Sequence, residues 1–112
     1  MKKKKTPSDQ ILNLLERVRE YVQRDKWSFS QHAFQRKMER DIDVLDVSYV
    51  LTHGYHESRK TKYNEARNSG NYAIRGVTLD GVDIRVIVTF IPLECLVVTV
   101  MKVTRLGKED EK

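Results

Sequence analysis

The sequence predicts an α+β domain, with N-terminal helices packed on one face of a C-terminal antiparallel β-meander. Three observations carry this expectation. Apolar residues recur at helical spacing between residues 11 and 22, capping residues open two further helices before residue 54, and β-branched runs separated by short turns follow residue 71. A chain of 112 residues suits one domain with its own core. The expected division is a basic disordered tail at 1–5, a single domain over 6–106 and a polar tail at 107–112.

Thr6-Pro7-Ser8-Asp9 joins a capping hydroxyl, a proline at the first helical position and an acid three residues after the cap. It predicts a helix over Pro7–Arg24. Ile11, Leu14, Leu15, Val18 and Val22 form its buried stripe, and Glu16, Arg17, Arg19, Glu20 and Gln23 face water. Trp27-Ser28-Phe29 is short enough to be only an extended link or edge strand. Ser30 caps a second helix reaching Arg40, with Phe34 and Met38 toward the core. Asp43 and Asp46 stand in capping-box positions, flanked by an Ile42/Val47 staple, and predict a third helix over Val44–His53. Gly54 is expected to end it in a left-handed conformation.

The basic segment from Tyr55 to Asn71, with Arg59, Lys60, Lys62 and Arg67, reads as a long loop or edge strand, its one plausible strand around Ser58–Tyr63. Three strands follow, Tyr72–Leu79, Val82–Phe90 and Cys95–Val103. Asp80-Gly81 as a two-residue type I′ turn would pair Leu79 with Val82 and Val77 with Ile84. Val82, Ile84, Val86, Val88 and Phe90 then face the helices. That register turns Arg75 inward, and a bulge at Gly76 would return Ile74 and Tyr72 to the core and Arg75 to the open face. Arg85 and Lys102 are expected on that open face with Ile87, Val98 and Val100.

Cys95 stands alone, so no intrachain disulfide is expected, in keeping with a reducing cytoplasmic setting. The Lys-rich start lacks the apolar stretch of a signal peptide, and no run approaches the ~20 apolar residues of a membrane span. Twenty-one lysines and arginines against 16 acids give a net charge of +5. This balance suits RNA, DNA or an acidic protein as partner. Lys2 to Lys5 supply four of those charges, as a solvated tail or as an electrostatic arm. His32, His53, His56 and Cys95 lack metal-site spacing, and phosphate-loop motifs are missing, so no metal or cofactor is expected.

The segment most suggestive of chemistry is Phe29 to Ile42. On a helix, His32, Arg36 and Arg40 fall at i, i+4 and i+8, one polar stripe that can hold phosphates and move a proton, or simply face solvent. The pattern His-Ala-x-x-Arg-x-x-x-Arg-x-Ile, the acid-capped helix ending at Gly54 and the meander ending in Val-Val-Thr-Val resemble the bacterial domain of unknown function 4258 family, over roughly Phe29 to Val103. Asp41 stands where that family commonly has Gly, and Tyr55 to Tyr72 is longer and more basic than usual.

The family is similar in layout to BrnT-type and RelE-type toxins, small basic ribonucleases held in check by antitoxins. The resemblance implies a metal-independent endoribonuclease of a toxin–antitoxin system, with RNA as substrate and an antitoxin-like protein as partner. His32 would be base or acid, Tyr72 would stack on a base or donate a proton, and Arg36, Arg40, Arg75, Arg85 and Lys102 would bind phosphate or RNA. Tyr72 also reads as a core aromatic. The alternatives are a noncatalytic module binding nucleic acid or protein, and a structural or oligomerising domain.

Overall fold

A computed structural model describes residues 7–64 and 69–103. The Lys-rich start, the Thr6 cap, Arg67 and the polar end lie outside the described residues. The described residues form three helices and a six-stranded sheet, in the order α1 Pro7–Gln23, β1 Trp27–Phe29, α2 Gln31–Glu39, α3 Val44–His53, β2 Tyr55–His56, a 3-10 turn Ser58–Lys60, β3 Lys62–Asn64, β4 Ser69–Val77, β5 Asp83–Ile91 and β6 Glu94–Lys102. The strand order is β1-β6-β5-β4-β2, with β3 also on β4. The β4-β5-β6 meander is antiparallel and β5 is central, as the sequence predicts. The sheet as a whole is mixed, because β1 joins β6 in parallel.

Leu14 and Val18 of α1 are buried. Arg17 and Arg19 depart from the expected solvent face. The Arg17 guanidinium lies 4.0 Å from the centre of the Phe90 ring, and Arg19 donates to the Gly54 carbonyl at 3.3 Å, where the C-terminus of α3 carries partial negative charge.

Both α1 and α2 end in the same device. The Lys26 amide reaches Tyr21 O and the Asp25 amide Val22 O. In α2 the Ile42 amide reaches Lys37 O and the Asp41 amide Met38 O. These are the paired bonds of a Schellman ending, and Asp25 and Asp41 take the left-handed position at φ 59° and 57°. Asp41 thus occupies, without being glycine, the backbone conformation that favours glycine.

Ser30 caps α2 as expected, accepting the Ala33 amide at 3.0 Å. The inward face is different: Ala33 and Lys37 are buried, whereas Phe34 and Met38 are 49% and 63% exposed. Anchors at both ends set this rotation. The Ser30 amide donates to Val97 O, and Arg40 Nη1 donates to Val100 O at 2.7 Å. Ala33 lets the helix approach β6, and the Lys37 ammonium lies 4.8 Å from the Phe34 ring centre.

The capping box of α3 forms in full between Asp43 and Asp46. Ile42 and Val47 are both buried in the core. Gly54 is extended rather than left-handed, at φ −78° and ψ −173°. Glycine is needed for space instead, since a Cβ there would sit 2.6 Å from the carbonyl oxygens of Arg75 and Val50.

The Asp80-Gly81 turn differs by one residue from the expected type. β4 and β5 pair Val77 with Asp83 and Tyr72 with Val88. The Thr78 amide donates to Val82 O, and the Gly81 amide donates to Thr78 O. The loop is therefore Leu79-Asp80-Gly81, a type I turn closed by a left-handed Gly81 at φ 85°. This shift alone puts Ile74 and Tyr72 in the core and Arg75 on the open face, without a bulge at Gly76. It also leaves Val82 36% exposed.

The bulge lies in β6. Ile87 pairs with Thr99 and Val88 with Val97, leaving Val98 as the extra residue. Val97 and Val100, three apart, can thus both be buried beneath the helices, which corrects the open-face placement of Val100. Lys102 pairs with Ile84 and so lies on the helix side of the sheet, not beside Arg85.

Pro92-Leu93 closes the β5–β6 hairpin with Leu93 at φ 68° and 85% exposed. A left-handed conformation costs a non-glycine residue about 1–2 kcal/mol. Leu93→Gly is therefore expected to raise stability by about 0.5–1 kcal/mol, after the entropic cost of glycine. A urea midpoint unchanged or lowered in Leu93→Gly would contradict this assignment.

Candidate anion-binding site on the open sheet face

The shifted register places Arg75 directly opposite Arg85 on the face away from the helices. Glu57, just beyond β2, reaches between them. Arg85 Nε and Nη2 donate to its two oxygens at 2.6 and 3.0 Å. Arg75 Nη1 donates to Glu57 Oε2 at 2.7 Å. Arg75 Nε and Nη2 also form a two-point pair with Asp83, both at 2.8 Å.

Arg85 is 2% exposed and Glu57 6%. Desolvated charges persist at such burial only with close, saturated partners. The Arg85 hydrogen bond, assisted by Arg75, outweighs desolvation and holds the Glu57 carboxyl below its ordinary pKa. Asp83 and then Glu57 raise the pKa of Arg75. Two cations and two anions make the cluster neutral and rigid.

Beside it lies a pocket of about 390 Å³. Arg85, Ile87 and Met101 form its floor on the sheet, Asn71 contributes from β4, and Arg59, Lys60 and Lys62 form the rim. Among the described residues the lining carries three exposed cations, Arg59, Lys60 and Lys62, beside the Glu57-paired Arg85. The rim is held by its backbone: the Lys60 amide bonds Glu57 O and the Thr61 amide Ser58 O, making the 3-10 turn. Thr61 Oγ1 ties the turn to the sheet by accepting the Ala73 amide at 3.0 Å and lies 2.6 Å from His56 Nε2. Burial lowers the His56 pKa. Where the sequence suggested a strand at Ser58–Tyr63, this turn and the short β3 point three cations over one end of the sheet.

The residues expected to carry chemistry are divided between two faces. Arg75 and Arg85 meet on the open face. His32, exposed, and Arg36, paired with Glu39 at 3.0 Å, lie on α2. Arg40 extends from the end of that helix to the Val100 carbonyl. Tyr72 is 3% exposed, its ring 5.8 Å from Phe90 and 6.4 Å from His56. Burial raises its pKa, which fits the core-aromatic reading. α2 packs on β6 and β1, whereas Tyr72 belongs to β4, two strand spacings or ~10 Å from β6. His32 and Tyr72 are not brought together.

Cys95 is buried, with its thiol pushed up to about 12 chiefly by desolvation, and so stays protonated. Among the described residues, no three His, Cys, Asp or Glu side chains form a metal-holding group. No described helix is long and apolar enough to cross a membrane.

Glu57, Asn71 and Met101 were not apparent as site residues from sequence. An acid at the start of a basic segment, followed by two strands, β4 and β5, that each carry one arginine, was the available signal for the Glu57 cluster.

No curated protein matches the chain, and no solved structure does. Residues 29–102 match the family model described as Domain of unknown function (DUF4258). The match takes in α2, α3 and every strand except the first two residues of β1. With two thirds of its length matched, the chain belongs to the DUF4258 family.

Proposed function

We propose that the domain binds RNA through phosphate contacts on the open face of its sheet. The observation that carries this reading is the cationic rim of the pocket, where Arg59, Lys60 and Lys62 converge over one end of the sheet. Arginine and lysine on a rigid sheet edge suit phosphate oxygens by charge and donor geometry. The described residues of the lining are cations, an amide and apolar side chains, a set better equipped to bind than to exchange protons at neutral pH.

The second reading, a toxin-like metal-independent endoribonuclease, is favoured by His32. It is exposed at the start of α2, one turn before Arg36. In that case an antitoxin-like protein would be its partner.

Salt-dependent binding to a mixed RNA pool tests the first reading. The double variant Arg59→Ala/Lys62→Ala is expected to weaken binding at least about 10-fold near physiological salt and to flatten the log–log salt slope by roughly 1–2. Unchanged affinity and slope would refute phosphate binding here. Incubation of the same RNA in EDTA separates the second reading: cuts that vanish in His32→Ala support cleavage, and intact RNA leaves binding alone.

A further inference from the structure

Resting on that reading, we infer that the open-face pocket takes one nucleotide of a single-stranded chain, its phosphate at the cationic rim and its base on the sheet floor. The rim and floor differ in chemistry. Arg59, Lys60 and Lys62 are exposed cations on the turn and β3, suited to a phosphate that stays in solvent. Ile87 and Met101, half-buried on β5 and β6, give an apolar surface that a lone phosphate would leave unused. Register places these side chains on one face, with Arg85 opposite Met101 and Ile87 opposite Ala73.

Arg85, 2% exposed, lies beneath this surface with its Nε and Nη2 held by Glu57, and fixes the strand that carries Ile87. Asn71 supplies both an amide donor and a carbonyl acceptor, the pair needed to read a base edge. The volume of about 390 Å³ lies within the ~300–1,000 Å³ usual for ligand pockets. A duplex keeps its bases stacked inside, so it can meet the rim but cannot fill the floor. The chemistry therefore selects an unpaired nucleotide.

Fluorescence anisotropy with a short labelled single-stranded RNA, and with the same RNA annealed to its complement, tests this. The single strand is expected to bind at least about 10-fold tighter than the duplex at equal salt. Asn71→Ala, at an exposed position that the fold does not use for packing, is expected to weaken single-strand binding by about 3- to 10-fold and leave duplex binding unchanged. Ile87→Asp is expected to remove the preference for single strands. Equal binding of both forms, with Asn71→Ala without effect, would overturn the nucleotide pocket while leaving phosphate binding intact. Failure of either form to bind at low salt would overturn the underlying reading as well.

Discussion

Glu57→Ala is expected to destabilise the domain by about 3–5 kcal/mol, the usual cost of removing one partner from a buried ion pair. The loss is large because Arg85 is 2% exposed and both Glu57 oxygens serve it. Without Glu57, Arg85 stays charged and buried on the central strand while Arg75 keeps Asp83. With an m-value of ~1–3 kcal/mol per molar urea, the midpoint should fall by at least about 1 M. The double variant Glu57→Ala/Arg85→Met should recover much of this, since it removes the stranded charge. A single-variant shift below about 0.5 M would show that the cluster is not stabilising in the way its geometry implies.

The same carboxyl gives a pH dependence. Its pKa in the folded state is depressed below the ordinary 4.5, so its contribution is fully present above that value and is lost as pH falls through the lowered pKa. His56 is also depressed, from 6.5, by burial. Its unfolded form takes up a proton first, so stability declines as pH falls below about 6.5, ahead of the carboxyl step. Glu57→Gln should remove the lower step and keep the upper one, as read from urea midpoints across pH 3 to 8.

Gly54→Ala is the second substitution expected to have a large effect. The added Cβ would stand 2.6 Å from two carbonyl oxygens, Arg75 O and Val50 O, neither of which is the movable end of a side chain. β2 must then move away from β4, or the end of α3 must unwind, at a cost of roughly 1–3 kcal/mol. Because Glu57 follows β2 directly, the shift should also loosen its hold on Arg85 and weaken RNA binding. Thermal melts of Gly54→Ala beside Gly81→Ala separate crowding from strain, since Gly81 has open space but φ 85°. A midpoint unchanged in Gly54→Ala would mean that α3 and β4 do not approach as closely as described.

The element order and the meander were legible because each segment carries its own signal: capping residues for α2 and α3, β-branched runs for β4 to β6. Rotation about an element was less legible. The turn of α2 that exposes Phe34 and Met38 is set by bonds from Ser30 and Arg40 to β6, contacts 60 or more residues away in sequence that periodicity does not encode. Helix endings misled in both directions. Asp25 and Asp41 adopt the left-handed position, while Gly54 serves close packing instead.

The open-face arginines were legible only in part. Arg75 and Arg85 could be placed there from alternation, but the one-residue difference between a type I′ turn and a type I turn with left-handed Gly81 decided how they got there. Val98 as a bulge moved Val100 inward and set Lys102 apart. The cations of the rim were visible as composition. Their convergence depends on a 3-10 turn held by Glu57 O and Thr61 Oγ1, a tertiary arrangement without a local signature.

The central claim is that nucleic acid meets the open face of the sheet and not the His32–Arg36–Arg40 stripe of α2. Backbone amide NMR during titration with single-stranded RNA tests it most directly. The account predicts that shift changes concentrate at Ser58 to Lys62, Asn71, Ala73, Ile87 and Met101. Changes confined to Gln31 to Arg40, with the open face unmoved, would contradict it.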